Sequence, residues 1–126
     1  MKIKSLDHLV LTVASIEKTV AFYVDVFGMT HEPFGEGGNA LKFGSQKINL
    51  HETGKEFEPK AMTPVPGSGD LCFLVENLAT SVIELGAHDV EIIEGPVERT
   101  GACEKLMSVY LRDPDGNLIE LAEAQS

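Results

Sequence analysis

The stretch DHLVLTV at residues 7–13 and its counterpart GDLCFLV at residues 69–75 decide the fold. The first carries Leu9, Leu11 and Val13 with a period of two, and the second is a short apolar run, so both predict β-strands. A helix is predicted after each strand, because Ser15 and Asn77 are good N-cap residues ahead of helically spaced apolar positions. The chain therefore repeats a strand-helix unit.

Three β-rich segments follow each predicted helix. They lie near residues 29–35, 39–44 and 46–52 in the first half, and near 90–94, 107–112 and 117–122 in the second. Each half thus reads β-α-β-β-β. The prediction is an α+β fold, in which two βαβββ modules form a curled mixed sheet within one domain. Module one spans 1–56, a proline-containing linker 57–68, and module two 69–126.

The two halves can be aligned residue by residue. Matching His8 with Asp70 aligns the first strands, and matching the INL of KINLH with the IEL of NLIEL places Asn49 opposite Glu120. Gly28 and Gly86 are predicted to close the helices, and their spacing makes the second helix one turn shorter. An unrelated α+β sandwich whose elements repeat by chance remains the alternative.

Two curled modules side by side are expected to leave a concave trough between them. The repeat places His8, Asp70, Asn49 and Glu120 on it, and His51 shares the face of Asn49 because strand side chains alternate. Imidazole nitrogens and carboxylate oxygens are ligands of Mn, Fe, Ni or Zn. The pattern predicts a divalent metal site at His8, Glu120, His51 and Asp70. The alternatives are a core histidine, surface carboxylates and a solvated strand end.

Charge and cysteine usage exclude several classes of function. Ten basic and twenty acidic residues give a net charge of −10, which argues against nucleic acid and anionic membranes as partners. No apolar run reaches the roughly 20 residues needed to cross a bilayer, and the apolar segment at the N-terminus is too short for a signal peptide. We therefore expect a cytoplasmic protein. Cys72 and Cys103 are predicted to be reduced, and neither has a matched histidine base for nucleophilic catalysis.

DHLVLTV, the following AFYVDVFGM and the C-terminal RDPDGNLIEL resemble the vicinal-oxygen-chelate superfamily of glyoxalases, bleomycin-resistance proteins and dioxygenases. The resemblance covers nearly the whole chain. KINLHE, FEPKA, DLCFLV, EGPVERTGA and SVYLRDPDGNLIE are most similar to glyoxalase domain-containing protein 5 and its bacterial virulence-associated relatives.

The resemblance implies ligands on the first strand of each module and on the last strand. His8 and Glu120 match that pattern, whereas Asp70 stands where glyoxalase I has a second histidine and Asn49 where it has a glutamate. A complete glyoxalase I ligand set is therefore absent. Arg99, in VERTGA, is the candidate cation for an anionic substrate group, and Asn49 a second substrate-binding candidate.

The leading functional hypothesis is a metal-dependent lyase or isomerase acting on a small oxygenated metabolite. The metal would bind two adjacent substrate oxygens, and Glu120 or Asp70 would move the proton. One alternative is oxygen-dependent ring cleavage, with iron held by His8, His51 and Glu120. The other is a metal-free protein that sequesters a small molecule, which the scarcity of aromatic residues disfavours. Members of the family close the trough within one chain or across two, and the sequence does not say which arrangement holds. Exposed sheet edges favour a homodimer.

Overall fold

The alternation along β1 (His8–Val13) sends Leu11 and Val13 into a core and leaves His8 and Val10 exposed. A computed structural model describes residues 1–126. It divides into two compact units, Met1–Pro66 (unit 1) and Gly67–Ser126 (unit 2), with the boundary inside the predicted linker. None of its helices is long and apolar enough to span a membrane.

Unit 1 contains one helix and a four-stranded mixed sheet. Its elements are β1 (His8–Val13), α1 (Ile16–Asp25), β2 (Thr30–Phe34), β3 (Gly38–Phe43) and β4 (Gln46–Glu52). The strand order is β1-β4-β3-β2, with β1 parallel to β4 and the other pairs antiparallel. Tyr23 of α1 packs fully buried, as do Leu41 and Ile48 of the sheet. This apolar face defines the core of unit 1.

Unit 2 repeats the same arrangement. Its elements are β5 (Asp70–Leu74), α2 (Leu78–Ala87), β6 (Glu94–Thr100), β7 (Lys105–Arg112) and β8 (Leu118–Gln125). The order β5-β8-β7-β6 matches that of unit 1, with β5 parallel to β8. Leu85 of α2 lies with Val109, Leu111 and Ile119 in the core. The predicted α+β fold of two βαβββ modules is confirmed.

Both helices begin where the sequence predicts. The Ser15 side chain accepts a hydrogen bond from the Lys18 backbone N–H at 3.2 Å, and Asn77 accepts one from Thr80 at 2.9 Å. A glutamate of the last strand adds a second acceptor in each unit. Glu52 accepts from the Ile16 N–H at 3.1 Å, and Glu123 accepts from Leu78 at 2.7 Å. These carboxylates satisfy donors that a helix N-terminus leaves unpaired.

The predicted strand near 90–94 is wrong. The strand is Glu94–Thr100, which begins where the predicted segment ends. Gly95 and Pro96 argue against a strand in sequence, but β6 is an edge strand whose register shifts between Glu94 and Val97. A bulge on an edge tolerates both residues. A Cβ at Gly95 would collide with the carbonyl oxygen of Ser108, so the bulge requires glycine.

The predicted difference in helix length is also wrong, because both helices contain 10 residues. Gly86 lies inside α2, and the left-handed residue after that helix is Asp89, with φ 57°. Gly28, with φ 70°, takes the corresponding role after α1. Aspartate tolerates the left-handed region better than most residues, so the glycine spacing was a misleading guide to the helix end.

Candidate functional site

Each sheet has a face opposite its helix, here called the open face of its unit. On the open face of unit 1, His8 is paired with Lys47, Val10 with Asn49 and Thr12 with His51. His8 is therefore a diagonal neighbour of Asn49. His51 lies four residues further along the strands, about 13 Å away, so the two imidazoles are not brought together.

His8 is oriented by its neighbour in the chain. Its Nδ1 lies 2.8 Å from the Asp7 carboxylate, which leaves Nε2 as the nitrogen available to a ligand. The hydrogen bond with His8 holds the pKa of Asp7 below its ordinary value. A carboxylate on the second ring nitrogen is the usual arrangement around a metal-binding histidine. His51, by contrast, lies edge-on to Phe57, with ring centroids 5.7 Å apart.

Asn49 carries a buried side-chain oxygen, Oδ1, that has no hydrogen-bond partner. Its neighbours on the open face are Val10 on β1 and Ala40 on β3, and neither side chain can donate a hydrogen bond. Unsatisfied buried oxygens are uncommon, because their desolvation is not compensated. The oxygen is therefore a candidate acceptor for a ligand.

The open face of unit 2 places two predicted carboxylates close together. Asp70 is paired with Leu118 and Cys72 with Glu120, so Asp70 is a diagonal neighbour of Glu120. This is the relation between His8 and Asn49 in unit 1, and it supports the alignment of the repeat. The structure places Asp70 and Glu120 on one face, with Cys72 beside Glu120.

Glu120 is held by a side chain that the sequence did not nominate. The hydroxyl of the fully buried Ser108 donates a hydrogen bond to Glu120 Oε2 at 2.6 Å. Partial burial of the Cys72 thiol and its contact with the Glu120 carboxylate raise the pKa of Cys72 to about 11. The Cys72 side chain is therefore a protonated thiol at neutral pH.

A cavity of about 470 Å³ opens against Glu120 within unit 2. Much of its wall is apolar, with Leu74 of β5, Leu106 of β7 and Ala124 of β8. The loop that follows β6 closes one side and brings Cys103 and Glu104 to the wall. Concave, mainly apolar sites with a few polar groups are typical of small-molecule binding.

Arg99 also reaches this cavity, but its guanidinium is already engaged. It donates to Glu94 Oε2 at 2.6 Å, to the Tyr110 hydroxyl at 2.9 Å and to the carbonyl oxygen of Glu98 at 3.0 Å. The hydrogen bond with Tyr110, with a smaller contribution from Glu94, raises the pKa of Arg99. An anionic group of a ligand would have to compete with Glu94 for this cation.

The side chains fit a metal ion only in part. His8 offers one ring nitrogen with its partner carboxylate, and Glu120 and Asp70 offer carboxylates of a suitable chemical type. The structure contains no group of three or more His, Cys, Asp or Glu side chains placed to hold a metal ion. A complete ligand set made by the protein alone is therefore not formed.

Ser108 and Tyr110 are the residues of this face that the sequence did not nominate. SVYLR reads as an ordinary strand, and a serine in it carries no signal of its own. The repeat could have drawn attention to them, because the strand pairing assigns Ser108 to the position of Gly38 and Tyr110 to that of Ala40. That assignment depends on which residues pair across neighbouring strands, and the sequence pattern predicts the strands but not their pairing.

Comparisons with known proteins agree with this geometry. The family model described as Glyoxalase/Bleomycin resistance protein/Dioxygenase superfamily matches residues 5–121. The chain is 52% identical over 126 residues to glyoxalase domain-containing protein RDO1 of Mycosarcoma maydis, covering 99% of this chain and 71% of that protein. It is 52% identical over 124 residues to virulence protein STM3117 of Salmonella typhimurium, covering 98% and 86%. The crystal structure of STM3117 matches with a TM-score of 0.97, 51% identity and coverage of 99% and 100%.

More distant solved structures share the fold. They include lactoylglutathione lyase from Agrobacterium tumefaciens, with a TM-score of 0.74, 24% identity and coverage of 98% and 96%. The antibiotic-binding protein TnmS3 from Streptomyces matches with a TM-score of 0.75, 23% identity and coverage of 99% on both sides. FosX, a fosfomycin resistance protein from Listeria monocytogenes solved with Mn(II), matches with a TM-score of 0.68, 21% identity and coverage of 98% and 93%.

Proposed function

Because the chain belongs to the glyoxalase/bleomycin resistance/dioxygenase superfamily, we propose that it is a glyoxalase-type lyase or isomerase for a small oxygenated metabolite. The ligand binds on the open face of unit 2. The observation that carries the proposal is Glu120, a half-buried carboxylate held by Ser108 in the wall of a 470 Å³ cavity. A positioned carboxylate in a largely apolar site is suited to proton transfer.

Glu120 takes a proton from a ligand carbon that lies next to a carbonyl group. In an isomerase it returns the proton to a different atom, and in a lyase it delivers the proton to the departing group. The Ser108 hydroxyl fixes the orientation of the carboxylate, so that one rotamer faces the ligand. Asp70, the diagonal neighbour, is the second carboxylate available for this role.

We further propose that His8 and Glu120, aided by Asp70, bind a divalent ion. His51, the fourth predicted ligand, lies too far from His8 along the paired strands to share that ion. When bound, such an ion acts as a Lewis acid toward two adjacent ligand oxygens. The pairing of His8 with Asp7 supports a ligand role for His8. Localisation in the cytoplasm and assembly as a homodimer remain predictions from the sequence.

A second candidate function is metal-free sequestration of a small molecule. It is favoured by the absence of a group of three metal-binding side chains and by the apolar wall of the cavity. Fold neighbours include an antibiotic-binding protein, which is consistent with this use of the fold. Ring cleavage is less well supported, because His8 and His51 lie far apart along the paired strands.

Metal analysis of protein purified without a histidine tag separates the two candidates. We expect about one equivalent of a transition metal in the wild type and its loss in His8→Ala and Glu120→Ala. His31→Ala is the matched control, because His31 lies on β2 and bonds to Asn39 of β3. A wild type that stays metal-free after titration with Mn, Fe, Ni and Zn contradicts the enzyme proposal and leaves the binding protein. A metal-bearing wild type is then screened with diketones, thiol adducts and catechols.

A further inference from the structure

A second, smaller cavity on the open face of unit 2 is lined by both arginines of the chain. Its volume is about 310 Å³, and its wall is made by Ile93, Glu94, Arg99, Tyr110, Arg112 and Leu118. The sheet register places it next to the catalytic carboxylate of the proposed function. Tyr110 pairs with Glu120, and Arg112 pairs with Leu118.

The two arginines differ in how their charges are used. Arg99 forms an ion pair with Glu94 at 2.6 Å and donates to Tyr110. Arg112 takes part in none of the ion pairs of the molecule. Its guanidinium donates to the carbonyl oxygen of Gly116 over 3.3 Å, which is long for a hydrogen bond. Since Glu94 offsets one of the two cations, the cavity retains one uncompensated positive charge.

We propose that Arg112, and not Arg99, binds a carboxylate group of the ligand, an inference that rests on the proposed function of the neighbouring Glu120. A guanidinium donates two parallel hydrogen bonds to a carboxylate, and one uncompensated charge matches a monoanion better than a phosphate dianion. The chain carries a net charge of −10, so its overall field does not attract anions. Recognition of an anion must therefore come from a local cation such as Arg112.

The register also limits the size of the ligand. Arg112 lies two residues from Tyr110 on β7, and Tyr110 is the cross-strand partner of Glu120. Two residues of strand span roughly 7 Å, so a carboxylate at Arg112 sits a few bonds from a carbon that reaches Glu120. The substrate class is accordingly a small oxygenated carboxylic acid, with its carboxylate in the smaller cavity and its reacting carbon in the larger one.

The two arginines make a direct test possible, because the side-chain Nε–H region of an NMR spectrum holds only two arginine signals. Arg112→Lys removes one of them and so assigns the other to Arg99. The probes are 3-hydroxybutanoate, its uncharged amide 3-hydroxybutanamide, and propyl phosphate. We expect the carboxylate to shift the Arg112 signal in a saturable way and the amide to leave it in place.

Variants complete the test. Arg112→Gln is expected to weaken binding of the carboxylate about tenfold or more. Arg112→Lys should weaken it less, because lysine keeps the charge and loses only the two parallel N–H donors of the guanidinium. Lys105→Gln is the matched control, because it removes a cation from the same strand outside both cavities. Unchanged backbone amide signals verify that each variant is folded.

Three outcomes overturn the inference: no saturable shift with the carboxylate, equal affinity for acid and amide, or tighter binding of the phosphate ester. Glu120→Gln distinguishes this failure from failure of the proposed function. If the anion site is correct, that variant still binds 3-hydroxybutanoate at Arg112, whatever becomes of proton transfer and metal binding.

Discussion

The open faces of the two units share one strand register but carry different chemistry. Asn49 of unit 1 and Glu120 of unit 2 occupy the same position, each paired with the first strand through Val10 or Cys72. Glu120 is hydrogen-bonded by Ser108, whereas Asn49 keeps an unpaired buried oxygen. The repeat therefore conserves the geometry of the positions but not their hydrogen bonding.

Gly38 explains the difference, because it stands where unit 2 has Ser108. A glycine offers no hydroxyl to Asn49. The space above Gly38 belongs to Phe34, whose carbonyl oxygen and ring would collide with any Cβ at that position. In unit 1 the Phe34 ring thus occupies the volume in which unit 2 has the Ser108 hydroxyl. Only unit 2 therefore has a carboxylate that a serine holds in position.

The largest effect is expected from giving Gly38 a side chain. In Gly38→Ala the new Cβ lies 2.9 Å from the Phe34 ring and also meets the Phe34 backbone, so we expect a loss of about 2–3 kcal/mol in the free energy of unfolding. Gly86→Ala in α2 is the control, since nothing lies within 4 Å of its Cβ. That helical substitution should stabilise by up to about 1 kcal/mol. Urea denaturation measures both, and equal midpoints would refute the steric account.

An effect of intermediate size is expected at Cys72, whose equivalent position in unit 1 is occupied by Val10. Because the pKa of Cys72 is raised to about 11, its alkylation by iodoacetamide should be slow at pH 8 and keep accelerating toward pH 11. Glu120→Gln removes a negative charge beside the thiol and should speed the reaction at pH 8 severalfold. Mass spectrometry of the modified Cys72 peptide follows the rate. A rate that levels off below pH 9 would contradict the raised pKa of Cys72, and an unchanged rate in Glu120→Gln would contradict the contact between thiol and carboxylate.

The smallest effect is a pH dependence of stability that comes from Glu52. The Ile16 N–H, with a smaller contribution from Lys55, lowers the pKa of Glu52 in the folded protein. The carboxylate therefore stabilises the fold above its unfolded pKa, near 4.5, and this contribution disappears as the pH falls through the folded pKa.

The measurement is the urea midpoint of Glu52→Gln at pH 7 and at pH 3. The variant should lose less stability than the wild type on acidification, because it lacks the titrating group. Glu36→Gln, in the exposed turn between β2 and β3, serves as the control and should follow the wild type. If Glu52→Gln lost as much stability between pH 7 and pH 3 as the wild type, the hydrogen bond from α1 to the Glu52 carboxylate would contribute little.

The sequence by itself determined the βαβββ repeat, both helix N-caps and the equivalence of Asn49 with Glu120. These features follow from local periodicity and from the alignment of two similar halves, which a linear sequence records. It located β6 too early, because glycine and proline inside a strand are tolerated only at an edge bulge. An edge is a property of the sheet and not of the segment.

Only the tertiary structure decided which polar groups meet. Ser108 reaches Glu120 because β7 and β8 are paired in one particular register, and Arg99 folds back onto Tyr110 and Glu94 across the bulge of β6. Its place in VERTGA made Arg99 the candidate cation for an anionic substrate group, whereas cross-strand contacts pair its charge and leave that of Arg112 unpaired. Hydrogen bonds and ion pairs depend on distances of a few ångströms between separate strands, and those distances exist only once the sheet has formed.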